Sequence, residues 1–155
     1  MNIQLVICDY ANTAHRKAIA RLTNAYITDA MGGGKRLDEN EQVRLVEGLE
    51  KHPKSVVILA ETDGVFVGLL TAFENFATFA IRPMINIHDI IVLKEYRGKG
   101  VGRKLMQAIT AEAEKRGCCR ITLEVREDNV NAQKLYRSEG FGELEPNHYY
   151  WRKYL

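Results

Sequence analysis

Residues 87–117 run from an apolar, β-branched stretch, Ile-His-Asp-Ile-Ile-Val-Leu, through Lys-Glu-Tyr-Arg-Gly-Lys-Gly-Val-Gly-Arg, into a segment with Val101, Leu105, Met106, Ile109 and Ala113 at helical spacing. β-Branched runs favour strands, and the 3.6-residue period favours a helix with one buried face. The region therefore reads as a strand, a glycine loop and a helix. Such a join suits an anion: the first turn of a helix leaves N–H groups without partners, and the aligned peptide dipoles place partial positive charge there. Gly98, Gly100 and Gly102 lack Cβ atoms, so a phosphate can approach the backbone closely. Arg97, Lys99, Arg103 and Lys104 add positive charge around the loop. The expected ligand is phosphorylated; the competing reading is a plain turn flanked by solubilising charges.

Two familiar phosphate motifs fit poorly. A dinucleotide fingerprint needs a glycine where Arg103 stands and places its first glycine at the strand end, although Glu124 sits where an acidic ribose ligand would fall. A P-loop reading of Gly32-Gly33-Gly34-Lys35 meets Arg36 instead of Ser or Thr, and Asp29 where its first glycine should be.

Arg97-x-x-Gly100-x-Gly102 after an apolar strand resembles the acyl-CoA pyrophosphate loop of GNAT-type N-acetyltransferases. Asn129-x-x-Ala132-x-x-Leu135-Tyr136 followed by Gly140-Phe141 is similar to the fourth-helix segment of the same family. The resemblance implies that Arg97, Gly98, Lys99, Gly100, Val101, Gly102 and Arg103 hold the pyrophosphate of acetyl-CoA. It further implies that backbone groups of Ile90, Ile91 and Val92 carry the pantetheine arm, with Asn129 and Ala132 also on the cofactor side. Tyr136 takes the place of the family's general acid, and a phenol with a pKa of about 10 stays protonated at neutral pH. His88 and Asp89 are the candidate bases; regular strand alternation sends them to opposite faces, so only one is expected to face the cleft. Glu74 and Glu124 are secondary candidates. Residues 87–92 and 79–83 look similar to the polyamine-type branch, which has an acidic residue where this chain has His88.

The remaining elements follow from pattern. Residues 3–8 read as a strand, 11–30 as a helix, and Asp38 with Glu41 as a capping box opening a second helix that ends before Pro53. The segment 31–35 reads either as a flexible connector or as a loop that moves when substrate enters. Residues 56–61 and 65–73 flank Thr62-Asp63-Gly64, a hairpin signal. Arg82-Pro83 suggests a turn before a strand at 85–93; another strand is expected at 120–126, a helix at 129–139 and a final strand at 148–154. The order β-α-α-β-β-β-α-β-α-β gives an α/β chain with a mixed central sheet and helices on both faces, as the GNAT resemblance also implies. In that fold the strands at 87–93 and 120–126 splay apart at a bulge and admit the acyl chain.

At 155 residues and 46% hydrophobic, a single domain spanning 1–155 is expected. A net charge of +2 gives no reason to expect a nucleic-acid partner. The N-terminal apolar run is too short for a signal peptide, and no stretch approaches the roughly 20 apolar residues of a membrane span, so a cytoplasmic location is expected. Cys8, Cys118 and Cys119 form no metal-ligand spacing, so no metal is expected. The expected activity is acetyl transfer from acetyl-CoA to a primary amine, on a small molecule or peptide, by direct attack in a ternary complex. A non-catalytic acyl-CoA-binding module is the alternative. The GNAT resemblance implies a possible homodimer through a sheet edge, for which the aromatic end at Tyr149, Tyr150 and Trp151 is one candidate; the other reading of those residues is core.

Overall fold

The computed structural model describes residues 1–155, which form two compact units, 1–124 and 125–155. The first contains β1 (Gln4–Ile7), α1 (Thr13–Ile27), α2 (Glu39–Lys51), β2 (Ser55–Thr62), β3 (Val65–Ala77), β4 (Arg82–Val92), a 3-10 turn (Lys94–Tyr96), α3 (Val101–Lys115) and β5 (Ile121–Leu123). The second contains α4 (Val130–Ser138). The α/β class and the expected order hold through α4. The strand expected at 148–154 does not form, and Tyr149, Tyr150, Trp151 and Tyr154 are exposed there.

The sheet runs β1-β2-β3-β4-β5, antiparallel throughout except for the parallel β4–β5 pair. Side chains alternate between its faces. On one face Val57, Leu59, Leu69 and Ile91 join Ala18, Ile19 and Leu22 of α1 and Val46 and Leu49 of α2 in a buried cluster. The opposite face receives α3, whose Val101, Leu105, Met106 and Ile109 are buried. Gly68 makes that docking close: a Cβ there would lie 2.9 Å from Val101 Cγ1 and 3.1 Å from Leu105 Cδ1.

Local chemistry fixes the ends. Asp38 accepts the Glu41 N–H and Glu41 accepts the Asp38 N–H, both at 2.9 Å, completing the capping box. Asp63 and Gly64 take φ of 51° and 76°, the left-handed pair that a two-residue hairpin turn requires. Buried Asn24 exchanges hydrogen bonds with the Leu37 backbone and so ties the approach to α2 onto α1. Arg82 and Pro83, expected in a turn, instead open β4 opposite Ala77 and Phe76. Pro83 is tolerated because its peptide groups face away from β3: its carbonyl accepts from Cys119 N–H at 2.8 Å, and its missing N–H takes no rung from the β3–β4 ladder.

Candidate active site

β4 changes partner along its length. β5 pairs with it only from Ile85 to Ile87, while β3 follows it to Val92. The Leu93 N–H to Val67 carbonyl bond, 2.9 Å, sets the alternation of the antiparallel ladder. Asp89 and Ile91 therefore turn their peptide groups toward β3, and Ile90 and Val92 turn theirs to an edge that no strand covers. Ile91, expected to contribute backbone groups to the pantetheine arm, is thus committed to the sheet. Ile90 and Val92 remain.

The glycine loop follows directly. Lys104 N–H to Gly100 carbonyl, 3.1 Å, is the first bond of α3, and no backbone N–H of residues 98–102 is given to a protein acceptor. Gly98 and Gly100 take φ of 73° and 86°, and a Cβ on either would meet nothing within 4 Å. The result is an open arc of N–H donors at the positive end of a 15-residue helix. Gly68 holds that helix end against the sheet. Sequence reasoning passes over this residue, although an isolated glycine within Val-Phe-Val-Gly-Leu-Leu signals a close approach.

Three of the basic residues around the arc have contacts of their own. Arg97 Nε donates to the Val92 carbonyl and its Nη2 to Asp29 Oδ2, both at 2.9 Å. Lys99 Nζ lies 5.4 Å from the centre of the Tyr96 ring, and Lys104 Nζ reaches the Ile3 carbonyl at 3.3 Å. Asp29 also takes the Met31 N–H, and the two bonds together hold its carboxyl below the usual range. Residues 31–35, expected to be a connector or moving loop, fold back on α1: Gly32 and Gly33 N–H donate to Asp29 carbonyl, and Gly34 N–H to Ile27 carbonyl.

His88 and Asp89 are not on opposite faces. The register shifts so that Thr71 opposes Asp89 while Ala72 opposes Ile87, leaving His88 as the surplus residue of a bulge. Its ring sits edge-on to Phe73, 5.7 Å between centres, on the face covered by α1 and α2. Asp89 shares that face, with Oδ2 3.4 Å from His88 Nδ1. A bulge abolishes local alternation, and the strand sequence carries no mark of it.

Glu74 is tied to Lys54 at 2.5 Å and Arg116 at 3.0 Å, and these two cations hold its carboxyl below the usual range. That makes it a poor proton acceptor at neutral pH. Glu124 is exposed just past β5. In the C-terminal unit, Asn129 caps α4 by accepting Ala132 N–H at 3.2 Å, so that amide already has a partner. Tyr136 is buried on α4, its ring 6.2 Å from that of Phe141. No group of His, Cys, Asp and Glu can hold a metal ion, and no helix is long and apolar enough to cross a membrane.

The sequence model of the acetyltransferase (GNAT) family matches residues 19–141. YhfO of Bacillus subtilis strain 168, an uncharacterized N-acetyltransferase, is 29% identical over 139 residues, covering 86% of this chain and 87% of that protein. The ribosomal protein bS18-alanine N-acetyltransferase of Escherichia coli K12 is 37% identical over 86 residues, covering 52% of this chain and 58% of that protein. The solved structure of AAC(6')-Iy with the bisubstrate analog CoA-S-monomethyl-acetylneamine shares the fold, with a TM-score of 0.78 and 18% identity over 99% of each chain. A family match across most of the chain, on a sheet with this uncovered edge and this glycine loop, makes the chain a member of the acetyltransferase (GNAT) family and an acetyl-CoA-dependent N-acetyltransferase.

Proposed function

We propose that the chain binds the pyrophosphate of acetyl-CoA on the N–H arc of residues 98–102 and the pantetheine arm along Ile90 and Val92, and that a primary amine attacks the thioester directly. The observation that carries this reading is the run of donors without protein acceptors at the start of α3. A pyrophosphate supplies the acceptors that those groups lack, and an extended amide-bearing arm supplies partners for the Ile90 peptide groups and the Val92 N–H, the Val92 carbonyl being taken by Arg97.

An alkyl amine with a pKa of about 10 must lose a proton before it attacks. The His88–Asp89 pair suits that role, because the tautomer in which Nδ1 donates to Asp89 Oδ2, 3.4 Å away, leaves Nε2 as the acceptor. Tyr136 is the proton donor to the departing thiolate. An acyl-enzyme on cysteine is disfavoured, because burial and the neighbouring Asp9 carboxylate raise Cys8 to about 11, and burial also raises Cys118. Thiols in that state supply little thiolate at neutral pH.

The test is an amine panel, including peptides that begin with alanine, read by release of free CoA thiol. CoA binding without release from any amine would favour the non-catalytic module. Tyr136→Phe is expected to lower kcat by roughly 10²-fold or more while leaving CoA affinity in place. Unchanged kcat removes Tyr136 from the mechanism. His88→Ala is expected to lower kcat most at neutral pH and to recover as rising pH deprotonates the amine.

A further inference from the structure

We infer that Asp29 is a positioning residue for the donor site: by holding the Arg97 guanidinium against the end of β4, it sets the shape of the phosphate loop. The inference rests on the proposal that residues 98–102 receive the pyrophosphate.

A loop can be shaped by packing or by tethers at its ends. Packing is absent here, since a Cβ at Gly98 or Gly100 would meet nothing within 4 Å. Both glycines also take left-handed φ, in a region that glycine enters and leaves freely. The downstream end is tethered by α3, which Gly68 seats on the sheet. The upstream end is tethered by Arg97, immediately before Gly98. Its Nε bonds the Val92 carbonyl and its Nη2 bonds Asp29 Oδ2, each at 2.9 Å. One guanidinium thus spans the β4 terminus and the turn after α1, and its planar fork suits two fixed acceptors at once.

Asp29 is itself held. Its Oδ1 accepts Met31 N–H at 3.1 Å, and its carbonyl accepts the N–H groups of Gly32 and Gly33 at 2.9 and 3.1 Å. The carboxylate is a fixed post, and Arg97 is the strut between that post and the loop. A guanidinium engaged with a carboxylate and a carbonyl is not a free counter-charge for a phosphate. The loop's attraction for the anion therefore comes from its N–H groups, and the contribution of Arg97 is to aim them.

The test is isothermal titration with CoA of the wild-type chain, Asp29→Asn, Arg97→Gln and the double variant, with acetyl-transfer kinetics alongside. Asp29→Asn keeps an acceptor for Met31 N–H and removes the charge that holds Arg97. Each single variant is expected to raise the CoA Kd roughly five- to tenfold, the scale of one ordinary hydrogen bond. The double variant should bind no worse than Arg97→Gln, because both remove the same strut. The KM for acetyl-CoA should rise with little change in kcat at saturation, and the ligand-free melting temperature should stay close to wild type. An unchanged or tighter Kd in Asp29→Asn overturns the inference, tighter binding meaning that a released Arg97 reaches the phosphate. Multiplying effects in the double variant also overturn it. If Asp29→Asn fails to fold, Asp29→Ser, which also keeps an oxygen for Met31 N–H and removes the charge facing Arg97, decides by the same Kd criterion. A wild-type chain that fails to bind CoA overturns the donor-site proposal itself, whereas wild-type binding with an unaffected Asp29→Asn overturns this inference alone.

Discussion

The chain has two glycine triplets, and they do opposite things. At Gly32-Gly33-Gly34 the protein closes on itself: each N–H is given to a carbonyl of α1 or the turn after it, and a Cβ on Gly32 would lie 1.9 Å from the Tyr26 carbonyl oxygen. At Gly98-Lys99-Gly100-Val101-Gly102 the backbone donors have no protein acceptor, and the space around Gly98 and Gly100 is open. In the first set the N–H groups are spent on the chain's own carbonyls and Gly32 makes room for its backbone, whereas the second leaves both donors and space for a ligand. Glycine content is therefore a weak sign of an anion site until the destination of the N–H groups is known.

Substitutions at the two triplets should separate these roles. Gly100→Val is expected to have the largest effect, raising the CoA Kd by up to about 10²-fold, since a β-branched residue at a left-handed φ strains the loop and its side chain enters the ligand's space. Gly32→Ala should lower folding stability by about 2 kcal/mol in denaturant titration, because the added methyl meets backbone that must shift. The CoA Kd of the folded variant should stay within about twofold, far below the strain scale invoked for Gly100. If Gly32→Ala instead loses CoA affinity at full stability, the contrast between the triplets fails. Gly33→Ala has free space but a φ of 66°, so a loss of about 1 kcal/mol is expected from conformation alone.

The smallest effect concerns acid. Met31 N–H and the Arg97 guanidinium hold the Asp29 carboxyl below its usual range. The resulting stability is fully present above the unfolded carboxylate value of about 4 and is lost as pH falls through the lower folded value. Asp29→Asn should therefore lose less stability than wild type as the pH falls below about 4.

Features written in adjacent residues are legible. The capping box at Asp38 and Glu41, the hairpin at Asp63-Gly64 and the strand-loop-helix at 87–117 each depend on chemistry within a few positions, and each forms. The latch between Asp29 and Arg97 joins residues 68 positions apart, and nothing near either one names its partner. The bulge at His88 arises from the mismatch of two strands, so the period of β4 alone gives the wrong facing for His88 and Asp89. Alternating aromatics at 148–154 suggest a strand, but alternation signals one only where a face is buried, and Tyr149 and Trp151 are 84% and 85% exposed.

The surplus residue in β4 has one more consequence. Removing His88 would make the Asp89–Thr71 and Ile87–Ala72 pairs consecutive, so neither half of the strand would have to slide or turn over. The bend that a bulge introduces would go, and β4 would run straight past the point where its parallel neighbour now leaves it. A single-codon deletion is thus expected to yield a well-folded protein that has lost both the bulge and the proposed base, which makes inactivity without misfolding a short evolutionary step for this chain.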